Sequence, residues 1–570
     1  RAQVIYDYSQ QEKKENDKTR IMLLSATPAV NTPYEFALIF NLMRPDTFPT
    51  SEAIFNQIYI SSTNYQSLNE DNKNMFQRRI MGLVSYYIGA TPDKYATKRT
   101  RYKNITMNNY HQEVYEHYEK IEEEKEKIRR RMFRGVIGKD NMSTYSTYTR
   151  QSCNFVFPPI NKKINGETRP RPSHFRAKDE DTIIIDEGKD IEKKKKLIKN
   201  KEVVRKYNEA IKNYIEELKS FFKKIHDLDK TKNHTLKTDV NNFAKLYNGS
   251  LTEFLNKSKK KSGLFEILYK CSPKMTHIIF NIIKSPGSVL VYSNYVIMEG
   301  LQIFKVYLSF FGFISFENDK EYKSTSKKPL KKDYYRYMEF HGGIDKKTRT
   351  KNKTLFNSKE NSKGKVMKII MISPAGAEGI NLSNVRQVHI MEPYWNEARI
   401  EQVIGRAIRQ CQHKDLPMKD RTVEVFRYKM VRKNEKETSD EKLENISRKK
   451  NNLLLSFIEA IKEVAIDCEL FKSHNMMGNK YKCFKFNQNS LFEQPIGASS
   501  NNNPEFDINI SNGLNASDSL TKRIKVRKIK AVERIDDKTF NEVKEYWVDD
   551  ITRVVYDVDM DYPIGKLELD

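Results

Sequence analysis

The stretch Ile400–Gln410 reads IEQVIGRAIRQ and sets Gln402, Arg406 and Arg409 four and then three residues apart. On a helix, that spacing brings side chains to one face. A guanidinium group is planar, always charged and well matched to phosphate oxygens. Arginines that serve phosphoryl transfer work opposite a glycine-rich loop that holds the nucleotide. That loop, G-x-x-x-x-G-K followed by Ser or Thr, has no match in the 570 residues. The chain offers charge for a phosphate without the usual cradle.

Four further stretches read as functional loops. Ser25, Ala26 and Thr27 open SATP, and Ser293 lies in VYSNY (291–295). His341, Gly342 and Gly343 form the middle of FHGGI, and Gly376, Gly379 and Asn381 lie in ISPAGAEGINL (372–382). Each has a plain structural alternative. Ser25 and Thr27 suit a helix cap or turn. Gly379 permits close backbone approach, but also a tight strand-to-helix turn. His341-Gly342-Gly343 suits a turn, and Arg406 and Arg409 suit exposed helix salt bridges.

Such loops need a frame. IMLL (21–24) predicts a buried strand running into SATP, and PYEFALIFNLM and residues 51–95 predict helices. SVLVYS (288–293), KIIMIS (368–373), QVHIMEP (387–393) and TVEVFRYKM predict strands. VIMEGLQIFKVYLSFFGF and EARIEQVIGRAIRQ predict helices between them. The alternation implies a parallel sheet covered on both faces. In such sheets function gathers at the loops beyond the strand carboxyl ends.

Residues 109–271 differ in character, with the long charged helix YHQEVYEHYEKIEEEKEKIRRRMF and lysine runs at 193–196 and within 257–262. The lysines suit solvated helix faces, localisation signals or nucleic-acid contacts. After residue 434 a charged helical stretch leads into NNLLLSFIEAIKEVAIDCELF. An Asn-, Ser-, Gly- and Pro-rich linker (487–520) precedes an alternating, β-rich tail.

A balance of 102 Lys+Arg against 75 Asp+Glu leaves a net charge of +27. Such a chain is drawn to polyanions, nucleic acid first, although coding bias toward Lys and Asn gives the same balance. The length suggests about three to four domains. Five scattered cysteines without C-x-x-C fit a reducing compartment and no disulfide framework. No apolar run approaches the roughly 18 residues of a membrane span. The opening RAQVIYDYSQ lacks Met and any signal-peptide pattern. It reads as the middle of a longer protein, and a missing N-terminus is expected.

Taken together and in this order, the loops resemble motifs III to VI of superfamily II helicase-type ATPases, over most of residues 20–430. AGAEGINLSNVRQVHIMEPYWNEARIEQVIGRAIRQCQH is similar to the Swi/Snf-type branch. FQRRIMGLVSYY, TRQSCNFVFP, SPKM, VYSNYVIMEGLQIF and AIDCELFKSHN resemble helicase-like transcription proteins of large cytoplasmic DNA viruses. These are of the poxvirus early transcription factor small subunit and nucleoside triphosphate phosphohydrolase I type.

The resemblance implies an α/β fold with a RecA-like helicase core. A partial first lobe (1–100), a helical charged insertion (101–272) and a complete second lobe (273–432) would precede a helical extension (433–486), a linker (487–520) and a terminal module (521–570). It implies ATP and Mg2+ as cofactors, with Arg409 as arginine finger, Arg406 on the γ-phosphate and Gln402 positioning water or phosphate. Ser25, Ala26, Thr27, Gly379 and Asn381 would couple the nucleotide to nucleic acid. Ser293, His341, Gly342 and Gly343 would lie on the nucleic-acid path. The implied activity is a DNA-dependent ATPase or translocase of viral early transcription. Its partners would be duplex DNA, the viral RNA polymerase and a second transcription factor subunit, with no membrane, in virions and cytoplasmic viral factories. A replication or repair helicase and a non-catalytic DNA- or polymerase-binding subunit are the alternatives. The phosphate and magnesium motifs would lie upstream of Arg1, leaving this piece inactive alone.

Two stretches mimic sites. TIIIDEGKD (182–190) imitates a magnesium-binding strand end with Asp186 and Glu187, but it follows SATP by some 155 residues, where the family has that motif before SATP. It reads as a surface strand or loop. Cys468, His474 and Cys483 have metal-ligand types but lack a fourth partner. They read as buried cysteines, with no metal site.

Overall fold

The computed structural model describes residues 2–15, 19–61, 66–87, 94–132, 147–160, 169–171, 189–319, 335–374, 380–434, 436–475, 481–484, 526–536, 539–549, 553–556 and 563–567. Gly376, Gly379, Asp186, Glu187 and the linker 487–520 lie outside these residues.

Four helices come first: α1 (Ala2–Glu15), α2 (Tyr34–Met43), α3 (Glu52–Tyr59) and α4 (Glu70–Ile80). Phe36, Phe40, Phe48, Phe55, Tyr59 and Phe76 close an aromatic core among them. The expected strand at 21–24 is not formed. These residues have no ladder partner among the described residues, and Met22 and Leu24 are 83% and 91% exposed. Apolar composition makes a buried strand only where neighbouring strands accept its hydrogen bonds, and the described residues among 2–87 hold only one isolated bridge, Ile60–Leu68.

Next come strand β1 (Thr97–Thr106) and helices α5 (Asn109–Met132), α6 (Thr147–Ser152), α7 (Lys189–Thr231), α8 (Leu236–Lys245), α9 (Leu251–Lys257), α10 (Gly263–Cys271) and α11 (Pro273–Lys284). The α/β part continues as β2 (Ser288–Tyr292), α12 (Leu301–Phe310), β3 (Ile314–Ser315), β4 (Arg336–Phe340), α13 (Lys346–Phe356), β5 (Ile369–Ile372), β6 (Val385–Ile390), α14 (Glu397–Ala407) and β7 (Thr422–Val431). Strands β1 to β7 form one parallel sheet in the order β1-β7-β6-β2-β5-β4-β3. Strand β1 crosses the expected boundary at 100/101 and runs beside β7 from Thr97↔Thr422 to Thr106↔Val431.

Successive strand residues face opposite sides, and the core divides accordingly. Val289, Val291, Ile369 and Met371 join a cluster that includes Leu218, Phe222 and Leu268 of the insertion helices. Leu290, Tyr292, Ile370 and Ile372 join another, closed by Ile400, Val403 and Ile404 of α14. The insertion thus covers one face of the sheet.

Helix α15 (Ser439–Glu463) follows β7, with Thr438 and Glu441 forming a capping box. Its first turn is buried beside β7, where Asp440 accepts from the Met430 amide at 2.9 Å. Its last turns enter the N-terminal aromatic core through Leu454, Phe457, Ala460 and Ile461. Gln77 Nε2 donates to the Ala460 carbonyl at 3.1 Å and to Glu463 at 2.7 Å.

Beyond α15, Cys468 and Cys483 form a disulfide, contrary to the expectation of unpaired cysteines. The Phe484 amide donates to the Glu463 carbonyl at 2.7 Å, returning the chain to the helix end and setting the two sulfurs side by side. Their separation of 15 residues carries no motif that reveals this. The tail forms a four-stranded antiparallel sheet of β8 (Val526–Asp536), β9 (Thr539–Asp549), β10 (Val554–Tyr556) and β11 (Pro563–Lys566), ordered β11-β10-β9-β8. Among the described residues no helix is long and apolar enough to cross a membrane.

Candidate functional site

Helix α14 is set by its cap. Asn396 Oδ1 accepts from the Arg399 amide at 3.2 Å, satisfying an amide the helix start leaves open. Ile400, Val403, Ile404 and Ala407 are buried, which turns Gln402 outward and leaves Arg406 half-buried. The helix ends at Ala407, because Ile408 takes φ −122° and ψ 84°. Arg409 therefore lies just past the helix, a correction to the expected three-residue face.

Two neutral acceptors hold Arg409. Its Nε donates to the Gly405 carbonyl at 3.1 Å, and its Nη1 donates to Asn381 Oδ1. Among the described residues it has no carboxylate partner. The loop that carries Asn381 is fixed in turn. Leu382 N donates to the Arg406 carbonyl at 2.9 Å, and Asn357 binds the Asn381 carbonyl and the Ser383 amide, each at 2.8 Å.

The SATP segment meets this helix from the other side. Gln402 Nε2 donates to Thr27 Oγ1 at 3.2 Å. Asn396 Nδ2 donates to the Val30 carbonyl at 2.6 Å and to Asn31 Oδ1 at 3.1 Å. Within SATP, the Thr27 amide donates to Ser25 Oγ at 3.1 Å, a local turn, while Ala26 is exposed. The structure therefore sets Thr27 against Gln402 midway along α14, and Asn381 against Arg409 just past the helix end, where the Arg406 carbonyl accepts from the Leu382 amide.

Ser293 does not belong to an exposed contact surface. Its hydroxyl is buried and donates to Glu392 at 3.1 Å, a correction to its expected place on the nucleic-acid path. Glu392 also accepts from the amide and side chain of Asn294, and from Asn154 Nδ2 at 2.9 Å. Asn154 Oδ1 accepts from Lys274 Nζ at 3.0 Å, and Lys274 pairs with Asp440 at 2.7 Å. Burial raises the Glu392 pKa, partly offset by these hydrogen bonds. Buried charges survive only when paired and hydrogen-bonded, and this chain of contacts supplies both. No role was assigned to Asn154, Lys274, Glu392 or Asp440 from sequence. The available signals were a lysine inside the apolar run SPKMTHIIF and a glutamate closing HIMEP.

His341 lies at the end of β4, half-buried, while Gly342 and Gly343 are exposed. Its Nδ1 accepts from the Gly343 amide at 3.1 Å, which leaves Nε2 to donate to Glu339 at 3.3 Å. Burial raises the Glu339 pKa, but the His341 bond and Lys305, at 2.8 Å, outweigh it and hold the carboxylate below its ordinary range. A turn role for this element is thereby present, and its exposed glycines leave backbone open to solvent.

Among the described residues no group of three or more His, Cys, Asp or Glu could hold a metal ion, so magnesium finds no ligand set there.

Comparison with known proteins agrees with this geometry. Residues 274–411 match the helicase conserved C-terminal domain. A protein of Acanthamoeba polyphaga mimivirus, provisionally named an ATP-dependent RNA helicase, is 43% identical over 583 aligned residues, covering 100% of this chain and 69% of that protein. A second mimivirus protein with the same kind of name is 26% identical, over 81% of this chain and 63% of its own length. A termination factor NPH-I homolog of African swine fever virus is 32% identical over 35% of this chain and 33% of that protein. The chain spans about two thirds of the length of the two mimivirus relatives.

Proposed function

The chain belongs to the superfamily II helicase-like ATPases of large DNA viruses, and from that premise we propose that it forms the arginine-bearing side of an ATP cleft in a DNA-dependent motor of viral transcription. The observation that carries this reading is the charge of Arg409, held by an amide oxygen and a carbonyl with no carboxylate partner among the described residues, on the segment that also presents Gln402 to Thr27. Arg409 and Arg406 neutralise charge on the transferring phosphoryl group. Gln402 orients the attacking water or a phosphate oxygen. Magnesium, when bound with the nucleotide, would supply further neutralisation of phosphate charge, and among the described residues no group of three or more His, Cys, Asp or Glu would hold it. Thr27, Ser25, Ala26, Asn381 and Gly379 pass the nucleotide state to the nucleic acid, with His341, Gly342 and Gly343 beside its backbone.

On this reading the phosphate cradle is supplied from outside these 570 residues, which contain no G-x-x-x-x-G-K run. The 570-residue chain alone should show no DNA-stimulated ATPase activity. In a protein that joins it to a phosphate-binding lobe, Arg409→Ala should lower kcat by about 10³-fold or more, with DNA affinity within about twofold, a factor of under 0.5 kcal/mol. A loss of DNA binding with hydrolysis intact would move Arg409 from the nucleotide to the nucleic acid. The polymerase and a second factor subunit are the proposed partners, and the viral factory and virion the proposed locations.

A second reading has its own support. Both mimivirus relatives carry an RNA helicase name, which favours RNA as substrate, whereas the termination-factor relative favours transcription. ATPase stimulation by duplex DNA against RNA, with strand-displacement and translocation assays in parallel, separates these. A non-catalytic scaffold would show neither.

A further inference from the structure

The helical insertion carries a cationic corner that the arginine cluster does not explain. Residues 230–262 hold eight lysines and two acids, Asp239 and Glu253. Asp239 is fully buried, and Glu253 pairs with Lys257 at 3.4 Å. Lys230 pairs with Asp227 at 3.0 Å, and the remaining lysines have no carboxylate partner among the described residues.

Two buried aspartates draw three separate segments to this corner. Asp229, at the end of α7, accepts from the Gly263 and Leu264 amides at 2.9 and 2.8 Å. Asp239, in α8, accepts from the Ser262 amide at 2.9 Å and from its hydroxyl, while His234 Nε2 lies 2.9 Å from its other oxygen. These bonds pin the end of α7, the first turn of α8 and the turn before α10 against one another. Lys232, Lys237, Lys259 and Lys260 stand on those three pieces, all exposed, with no carboxylate partner among the described residues. The turn itself is ordered by Ser258 Oγ donating to the Lys260 carbonyl and Lys261 Nζ to the Ser258 carbonyl, each at 3.0 Å.

We propose that this corner is a second nucleic-acid contact, gripping the phosphate backbone of duplex outside the motor cleft without reading its sequence. The proposal rests on the reading that the chain works on nucleic acid. Lysines are compact point charges suited to phosphate rather than to bidentate base contacts. Among the described residues of 228–262 no aromatic ring is exposed, so the corner has no platform for unstacked bases. Clustered charge on a rigid frame raises the local concentration of a polyanion.

The test is the salt dependence of binding to labelled duplexes of two unrelated sequences, using the full chain. Each neutralised phosphate contributes about 0.9 to the slope of log Kd against log salt. Changing Lys232, Lys237, Lys259 and Lys260 together to Ala should lower the slope by about 2 to 3.6, equally for both sequences. The matching Lys→Arg variant should keep the parental slope, which separates charge from fold. A single Lys260→Glu variant gives the same reading if the fourfold variant fails to fold. An unchanged slope in a chain that still binds duplex would overturn this corner alone. No duplex binding by the parent chain would overturn the motor reading with it. Loss of polyglutamate binding in place of duplex binding would assign the corner to an acidic protein.

Discussion

Arg409 and Arg427 share a residue type and little else. Arg427 is held by the carboxylates of Glu397 and Glu401, and its charge is used inside the fold. Among the described residues Arg409 meets only neutral acceptors. Sequence spacing sets Arg409 on one helical face with Arg406 and Gln402, whereas the helix ends at Ala407, and the carboxylates that hold Arg427 come from another element and are invisible in a linear reading. The buried histidines show a second residue-scale effect. Burial lowers His389 to about 3, beside the rings of Phe426 and Tyr428, and lowers His277 to about 4. Burial also lowers His111 to about 4, partly offset by its Ser152 carbonyl bond. In the unfolded chain each takes a proton near its ordinary value of about 6.5, while the folded chain stays neutral to far lower pH. Stability is therefore full above the unfolded value and is lost as pH falls toward the folded one. Between pH 7 and 5, each should cost about 2 kcal/mol. Urea denaturation of His389→Gln should show a loss smaller by that amount across the same interval. An identical pH dependence would mean that His389 titrates normally in the fold.

At the scale of elements, the parallel strands 288–293, 368–373 and 387–393 were legible because buried apolar runs bounded by loops are the plainest strand signal. The apolar run 21–24 gave the same signal and formed no strand, since a ladder depends on neighbours that the run itself does not encode. Strand β1 was missed for the opposite reason. TKRTRYKNIT is charged, and its first five residues are exposed at the sheet edge, where alternation loses its apolar half. The end of α14 was overrun by three residues, because Ile408, Arg409 and Gln410 suit a helix by composition, whereas Ile408 leaves helical geometry. The Cys468–Cys483 bridge closes a loop of 15 residues. By the chain-entropy argument it adds about 3 kcal/mol. Cys468→Ser should lower the melting temperature, and a reducing agent should lower that of the parent but not of the variant. Equal melting of parent and variant without reductant would mean the bridge adds nothing.

Over the whole molecule, three cores share the work, and helix α15 touches the outermost two groups of elements. Its first turn is fixed to β7 and to Lys274 by Asp440, and its last turns fill the aromatic core of α2, α3 and α4. Phe457 contacts the rings of Phe36, Phe55 and Phe76. Phe457→Ala should cost about 3 to 5 kcal/mol. The loss should fall on the N-terminal helices, so limited proteolysis should cut within residues 19–87 before the parallel sheet opens. Cleavage of both regions at one rate would mean that they unfold together.

That arrangement also fixes a timetable. Gln77 and its partner Ala460 stand 383 residues apart, so a ribosome adding about 5 to 20 residues per second needs roughly 20 to 80 s to deliver the second after the first. Through that interval the N-terminal phenylalanines have emerged without the ring that closes them. The nascent chain is therefore a natural client for a chaperone that shields aromatic surface. Helices α2, α3 and α4 become native only after the segments that follow them have been made.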